Sequence, residues 1–360
     1  KQYDVTFVNS TGNYSALRTW PPTGVPHGID RISPPADTAL GITVGSVAHL
    51  ENASSIVKKG EPSPFSRRGP GAAFLPKPEL SHYGGNLDKY GKCLQLGVIS
   101  TGISGELIEG VGTSYSAPFV STIMSQLRSA NISANLAKAL VIHSAILRGN
   151  SILQKDFIYK GFGVPEDVDN ISVCQPWSAT MIFEPTLLPA KKQFDRSGFP
   201  LPTCLKNNGY YRGELYVTLV YDPPLLPQAG VEYCQVNVDL SIGRRSDGKQ
   251  KRELKLQPED VKDLFEDSQV RYGFKWSPVK VYKKKFDRLQ GDDWGLRLNV
   301  LYRDHNGTTR EPQNVALIVT IADPSKNQPV YNEVVQLLNQ RGWASENLNI
   351  STRVRQQTRM

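Results

Sequence analysis

Gly-Thr-Ser-Tyr-Ser-Ala-Pro, residues 112–118, is the most informative stretch of this chain. Its small residues predict a turn that leads into a helix over residues 117–128, with Pro118 at a tolerated first-turn position. Ser114 is therefore expected at the helix N-terminus, where its hydroxyl is exposed and backbone N–H groups point towards developing negative charge. A nucleophilic serine needs such a place, although serine and threonine are also ordinary helix caps.

Apolar segments on both sides of this turn alternate with glycine-rich turns, which is typical of an α/β domain. Short strands are predicted over residues 5–8, 41–47 and 94–99, and the second is continuous enough to be buried on both faces. A second helix is predicted over residues 134–147, with Ser133 as its cap.

Several motifs accompany the Ser114 turn in a fixed order along the chain. They are Ser10-Thr11-Gly12-Asn13, residues 32–37 (Ile-Ser-Pro-Pro-Ala-Asp) with 42–47 (Ile-Thr-Val-Gly-Ser-Val), residues 65–70 (Phe-Ser-Arg-Arg-Gly-Pro), residues 77–85 (Lys-Pro-Glu-Leu-Ser-His-Tyr-Gly-Gly) and residues 159–163 (Tyr-Lys-Gly-Phe-Gly). Together with the Ser114 turn, these motifs resemble the subtilisin-like serine peptidases, the S8 or subtilase family. The resemblance covers residues 1–172.

This resemblance implies a partial subtilisin-like parallel-sheet domain and a serine endopeptidase that hydrolyses protein or peptide substrates through an acyl-enzyme. Ser114 would be the nucleophile, and Asn13 would hold the oxyanion together with the Ser114 backbone N–H. Ser10, Thr11 and Gly12 would form one wall of the pocket for the residue before the scissile bond. No cofactor and no metal ion are expected.

The other two triad residues are expected outside this chain. In subtilisins the order is Asp, His and then Ser, so the resemblance implies that Asp and His lie upstream of Asn13. The chain alone is therefore predicted to be inactive, and the upstream half of the peptidase domain is expected as its partner. His82 does not match the family's histidine motif, and we interpret it as a loop residue.

After residue 172 the pattern changes to period-two alternation between turns, which predicts an antiparallel β-sandwich domain over residues 173–360. Apolar residues alternate in residues 215–221, 234–240, 294–300 and 315–321. Leu298 is expected in the core, with Arg297 and Asn299 towards solvent. A short helix is predicted over residues 332–340. The family resemblance suggests that such an appended domain supports the peptidase or recognises targets.

The composition, with 39% hydrophobic and 21% charged residues, is typical of folded globular proteins. No apolar run approaches the about 20 residues of a membrane-spanning helix, so no membrane partner is expected. Much of the net charge of +8 comes from residues 244–255 and 280–285. Few aromatic residues interleave with these charges, so nucleic-acid binding is disfavoured. The alternative to a peptidase is a non-catalytic protein-interaction module or pseudoenzyme fragment.

Overall fold

The computed structural model of the chain describes residues 5–22, 28–149, 157–172, 174–191, 193–246, 249–254, 275–303 and 310–343. The chain divides into two compact units. The first comprises Lys1–Ala134 and Ser144–Asp167, and the second comprises Asn135–His143 and Val168–Met360. Among the described residues, the first unit contains a parallel sheet with helices, and the second contains antiparallel sheets.

Strands β1 (Val8–Ser10), β2 (Ile42–Val47) and β3 (Leu80–Tyr83) form a three-stranded parallel sheet in that order. All residues of β2 are buried, so the prediction of a strand buried on both faces is confirmed. The prediction of a strand over residues 5–8 is shifted, since β1 begins at Val8. Before it, the Phe7 side chain is 66% exposed.

Strands β4 (Val98–Thr101) and β5 (Leu107–Gly110) form an antiparallel hairpin. The prediction of a strand over residues 94–99 is wrong for most of its length. Here the Glu109 carboxylate accepts hydrogen bonds from three consecutive backbone N–H groups at 2.7–2.9 Å. The backbone therefore turns around this carboxylate instead of extending.

Helix α1 (Thr113–Ser129) begins four residues earlier than predicted, so Ser114 lies in its first turn. Pro118 accordingly lies inside the helix and not in its first turn. Because proline has no N–H, the Ser114 carbonyl four residues before it receives no helical hydrogen bond. Helices α2 (Ala134–Arg148) and α3 (Phe157–Lys160) follow, and α2 confirms the second predicted helix. No helix in the described ranges is long and apolar enough to cross a bilayer.

The second unit is built mainly of strands. They are β6 (Ser178–Phe183), β7 (Thr186–Leu187), β8 (Gln193–Ser197), β9 (Lys206–Asn207), β10 (Tyr210–Tyr221), β11 (Val236–Ser246), β12 (Lys249–Leu254), β13 (Val279–Leu289), β14 (Trp294–Tyr302) and β15 (Gln313–Ala322), followed by helix α4 (Val330–Gln340). One sheet has the order β13-β10-β15-β6, with β9 on β10 and β7 on β15, and the other has the order β12-β11-β14-β8. The four alternating segments fall on β10, β11, β14 and β15, and α4 confirms the predicted short helix.

Both antiparallel sheets contribute side chains to one hydrophobic core. Leu219 of β10 and Leu296 and Leu298 of β14 are fully buried, at 0% exposure. Burial of apolar side chains is the main stabilising contribution to such a core. Arg297, next to Leu298, lies on the other side of the strand and pairs with Asp195 at 2.6 Å, with its side chain 26% exposed.

The predicted alternation, with one buried and one exposed face, is wrong for β15 and for the second half of β10, where consecutive residues are buried. Thr218 and Thr320 lie on the side away from the core, yet both are buried. The His143 ring covers them, since its Nδ1 and Nε2 atoms lie 2.9 and 2.7 Å from the Thr218 and Thr320 hydroxyls. Burial lowers the pKa of His143 to about 3, so the ring is neutral, with one nitrogen donating and the other accepting.

Candidate active site

The turn before helix α1 brings the Ser114 hydroxyl and the Asn13 side chain together beside Gly112. The Gly112 N–H donates to the Gly84 carbonyl at 2.9 Å, which fixes the turn against the residue that follows β3. Gly112 has φ 151° and ψ 157°, a conformation that residues with a side chain rarely adopt. A Cβ atom there would lie 3.0 Å from Ser114 Oγ and 3.2 Å from Asn13 Nδ2. The glycine therefore leaves open a space on which both groups converge.

The Asn13 amide has one orientation that its neighbours allow. Its Oδ1 atom accepts the Thr113 backbone N–H at 3.0 Å and the Thr113 hydroxyl at 3.1 Å. Because a backbone N–H can only donate, the atom facing it must be the amide oxygen. The donor group Nδ2 is thereby left for the space beside Ser114. Thr113 positions Asn13, a role that sequence reasoning missed although Thr113 belongs to the motif that marked Ser114.

Ser114 is exposed, whereas the neighbouring Thr113 and Ser116 are buried. The Ser114 backbone N–H has no hydrogen-bond partner among the residues that the structure describes. N–H groups of the first helical turn are unpaired within the helix and favour negative charge. Together, this N–H and Asn13 Nδ2 form a pair of donors of the kind that stabilises a tetrahedral oxyanion.

Backbone pairing holds residues 10–13 in place. Ser10 pairs with Val44 in the parallel sheet, and the Thr11 N–H donates to the Val44 carbonyl at 3.0 Å. Gly12 has a φ of +87°, which favours glycine, and its carbonyl accepts the Arg67 N–H at 3.0 Å. The three predicted pocket-wall residues therefore directly precede Asn13 in a fixed turn. The Thr11 side chain is buried, so a substrate would meet its backbone.

A buried carboxylate, Asp30, lies in the same unit but is fully occupied by arginines. Arg18 Nη1 lies 2.7 Å from Asp30 Oδ2, and Arg68 Nε lies 2.9 Å from Asp30 Oδ1. Burial lowers the pKa of Arg18, and the second guanidinium adds to that effect. With both oxygens engaged, Asp30 is unsuited to orient a catalytic histidine.

His82 is not a loop residue, and the interpretation of it as one is wrong. It lies in β3 with a buried side chain, and its ring stacks on Phe119 at a centroid distance of 4.5 Å. Its Nδ1 accepts the Tyr83 backbone N–H at 2.9 Å. Burial lowers the pKa of His82 to about 4. Its polarity is tolerated in the strand because the neutral ring packs as an aromatic group.

The described histidines leave the Ser114 hydroxyl without a base. Neither His49, His82 nor His143 forms a hydrogen bond with Ser114. His27 and His305 lie outside the described residues. Within the ranges that the structure covers, no group of three or more His, Cys, Asp or Glu side chains is placed to hold a metal ion.

Replacing Asn13 by alanine tests the geometry around Gly112. In the peptidase that the family resemblance implies, called the complete peptidase below and composed of this chain with an upstream half for the Asp and His, Asn13→Ala is expected to lower kcat by about 100- to 1,000-fold, the magnitude known for the oxyanion asparagine of subtilisin. KM should stay nearly unchanged, because the lost hydrogen bond forms in the transition state. Steady-state kinetics on a fluorogenic peptide measure both, with Asn332→Ala, at an exposed position of α4, as control. A raised KM with unchanged kcat would make Asn13 a substrate-binding residue instead.

Two sequence comparisons show what this chain is similar to. Residues 1–172 match the model of the subtilase family, Peptidase_S8. The uncharacterized protein y4bN of Sinorhizobium fredii (strain NBRC 101917 / NGR234) is 27% identical over 287 residues, which are 71% of this chain and 65% of that relative. The chain therefore spans slightly less than two thirds of that relative's length. Residues 1–172, which contain the motifs and the parallel sheet described above, are therefore similar to the subtilase family.

Proposed function

We propose that this chain is the nucleophile-bearing part of a subtilisin-like serine endopeptidase. One observation carries the proposal: Ser114 Oγ and Asn13 Nδ2 converge on the space that Gly112 leaves open, with the amide orientation fixed by Thr113. A helix-capping serine would need neither the oriented amide nor the strained glycine. Acyl transfer needs both a nucleophile and oxyanion donors around one carbonyl.

In the proposed reaction, an upstream histidine takes the Ser114 proton and an upstream aspartate orients that histidine. Ser114 attacks the peptide carbonyl, and the tetrahedral intermediate collapses to an acyl-enzyme as the histidine gives its proton to the leaving amine. Asn13 Nδ2 and the Ser114 N–H stabilise the oxyanion in both half-reactions. Water then hydrolyses the acyl-enzyme. The backbone of Ser10, Thr11 and Gly12 forms one wall of the pocket for the residue before the scissile bond.

The proposed partner is the upstream half of the peptidase domain. Strand β1 is the outer strand of the parallel sheet in the described residues, so its second edge has unpaired backbone groups. Just before it, Val5 and Phe7 are 61% and 66% exposed. An unpaired edge flanked by large apolar side chains suits pairing with a further strand. The upstream half would supply that strand with the Asp and His.

Complementation separates the two main hypotheses. The purified chain is expected to show no hydrolysis of casein or of a fluorogenic peptide, because the described residues provide no base for Ser114. Addition or co-expression of the upstream half should restore hydrolysis that depends on Ser114. Robust turnover by the chain alone would contradict the proposal. Absence of hydrolysis by the chain together with its upstream half would favour the non-catalytic module.

For the second unit we propose a β-sandwich domain, with the domain division near residue 172 and the second domain over residues 173–360. The support is that two antiparallel sheets share one hydrophobic core. Its proposed role is to stabilise the peptidase part or to recognise protein targets.

One surface feature supports the alternative of a protein-interaction module without opposing the peptidase. The hairpin of β4 and β5 exposes large apolar side chains, with Ile99 at 62%, Ile103 at 106% and Leu107 at 78% exposure. Exposed apolar side chains clustered on one short hairpin are typical of a contact surface. This surface is compatible with both hypotheses, so the activity measurements on the complete peptidase decide between them.

A further inference from the structure

Arg67 ties the oxyanion loop to a second backbone segment. Its Nε donates to the Asn13 carbonyl at 3.1 Å, and its Nη1 donates to the carbonyls of Ile29 and Arg31 at 2.8 and 2.9 Å. The aliphatic part of the side chain lies against Gly12, where a Cβ atom would be 3.1 Å from Arg67 Cδ. Three carbonyl acceptors and this contact hold the guanidinium in one place.

The charge of Arg67 has no carboxylate partner among the residues that the structure describes. Asp30, the buried acid of this region, is already engaged by Arg18 and Arg68. Arg67 Nη2 makes no hydrogen bond within the same residues, although Nε and Nη1 are used. The side chain is partly exposed. The two N–H donors of Nη2 are therefore left unused on a guanidinium whose Cδ and Nε atoms lie against Gly12.

We propose that Arg67 is a specificity-determining residue that binds the carboxylate of an aspartate or glutamate at the substrate position before the scissile bond. This inference rests on the proposed peptidase function. When Ser114 and Asn13 hold the carbonyl of that residue, its side chain extends along the wall formed by residues 10–12. Arg67 lies against this wall at Gly12, and its Nη2 group keeps two N–H donors for a charge-assisted hydrogen bond to a carboxylate oxygen.

The surrounding charges favour the same substrate class. Arg18 and Arg68 both pair with the single carboxylate of Asp30, so this group already has an excess of positive charge, to which Arg67 adds without a carboxylate of its own in the described residues. A lysine or arginine side chain of a substrate would be repelled, and a neutral side chain would leave the Arg67 donors unpaired. In a partly buried site such a charge-assisted hydrogen bond is about twice as strong as a neutral one.

A matched peptide pair tests this assignment in the complete peptidase. The peptides are identical except for glutamate or glutamine before the scissile bond. For the unaltered enzyme, kcat/KM is expected to be at least about tenfold higher for the glutamate peptide. Arg67→Gln should bring the ratio close to one. Arg67→Lys should retain part of the preference, because the charge remains while the planar group that three carbonyls hold in place is lost.

Arg212→Gln controls for the general effect of replacing an arginine by glutamine away from the site. Arg212 is an exposed residue of β10 in the second unit, and the ratio for this variant should match that of the unaltered enzyme. A purely positioning role of Arg67, through its bond to the Asn13 carbonyl, predicts a different result. In that case Arg67→Gln would lower kcat for both peptides by the same factor, and the ratio of their kcat/KM values would not change. That outcome, or an unaltered enzyme without a glutamate preference, overturns the assignment.

Binding to the Ser114→Ala form of the complete peptidase separates specificity from catalysis. Fluorescence anisotropy with the same two uncleaved peptides should give a Kd about tenfold lower for the glutamate peptide, and Arg67→Gln should remove the difference. If the Ser114→Ala form distinguishes the two peptides but the form with Ser114 hydrolyses neither, the peptidase function is refuted and the assignment of Arg67 as a carboxylate-binding residue is supported. Equal hydrolysis and equal binding of both peptides would refute the specificity role of Arg67, while the peptidase function would still hold. If Arg67→Gln fails to fold, Arg67→Lys and the peptide pair decide.

Discussion

Replacing Ser114 by alanine is expected to abolish labelling of the complete peptidase by a fluorophosphonate probe and to remove peptide hydrolysis. The probe forms a bond only with a serine that is activated by a base and faces oxyanion donors. Ser114 meets the structural part of this requirement through its exposure, its unpaired N–H and the nearby Asn13 amide. Loss of the nucleophile in subtilisin lowers kcat by about 10⁶-fold, and we expect a comparable loss here.

Ser116→Ala is the matched control for this experiment. Ser116 lies in the same helical turn but is buried, and its hydroxyl has no hydrogen-bond partner in the described residues. Removing that hydroxyl should leave probe labelling and hydrolysis close to their original levels, because a buried hydroxyl without a hydrogen bond can be removed at no cost in stability. Full labelling of the Ser114→Ala protein would instead place the reactive serine elsewhere in the chain. Labelling abolished by Ser116→Ala as well would point to a packing effect of the turn.

Local sequence patterns predicted those parts of the site that depend on the backbone. The Gly112 turn, the helix that starts beside Ser114 and the fully buried β2 follow from small residues, capping chemistry and a continuous apolar run. The sequence predicts the start of α1 four residues too late, because a proline such as Pro118 is commonest in the first turn of a helix. The helix tolerates it further in, since only the Ser114 carbonyl loses a hydrogen bond.

Contacts between residues distant in sequence could not be predicted in the same way. His82 is a polar residue whose burial depends on Phe119 lying above its ring, and no local pattern records that stacking. Burial of the outer side of β15 depends on His143, which is 177 residues away from Thr320. The position of Arg67 depends on carbonyl groups of two other segments, which its own motif at residues 65–70 does not indicate.

The second large effect is expected in the β-rich unit, where Leu298→Asp should unfold the domain. Leu298 is 0% exposed and faces Leu240 and Phe194 on the neighbouring strands. An unpaired carboxylate at this position costs several kcal/mol in addition to the lost apolar burial, which is a large part of a domain's total stability of about 5–15 kcal/mol. Thermal unfolding followed by tryptophan fluorescence measures the effect. Four of the five tryptophans lie after residue 172, so the signal reports mainly on this unit.

Arg297→Asp, at the adjacent position, separates core burial from a general effect of aspartate in this strand. The Arg297 side chain is partly exposed and its ion pair with Asp195 is worth at most about 1 kcal/mol. Arg245 also lies 3.4 Å from Asp195, so that carboxylate keeps a cationic neighbour in the variant. Arg297→Asp should therefore lower the melting temperature by only a few degrees, whereas Leu298→Asp should abolish the cooperative transition. Equal effects of the two substitutions would mean that both sides of β14 are packed alike, and a mild Leu298→Asp would place this side chain outside the shared core. Either result would contradict a domain held together by two sheets that bury a common apolar face.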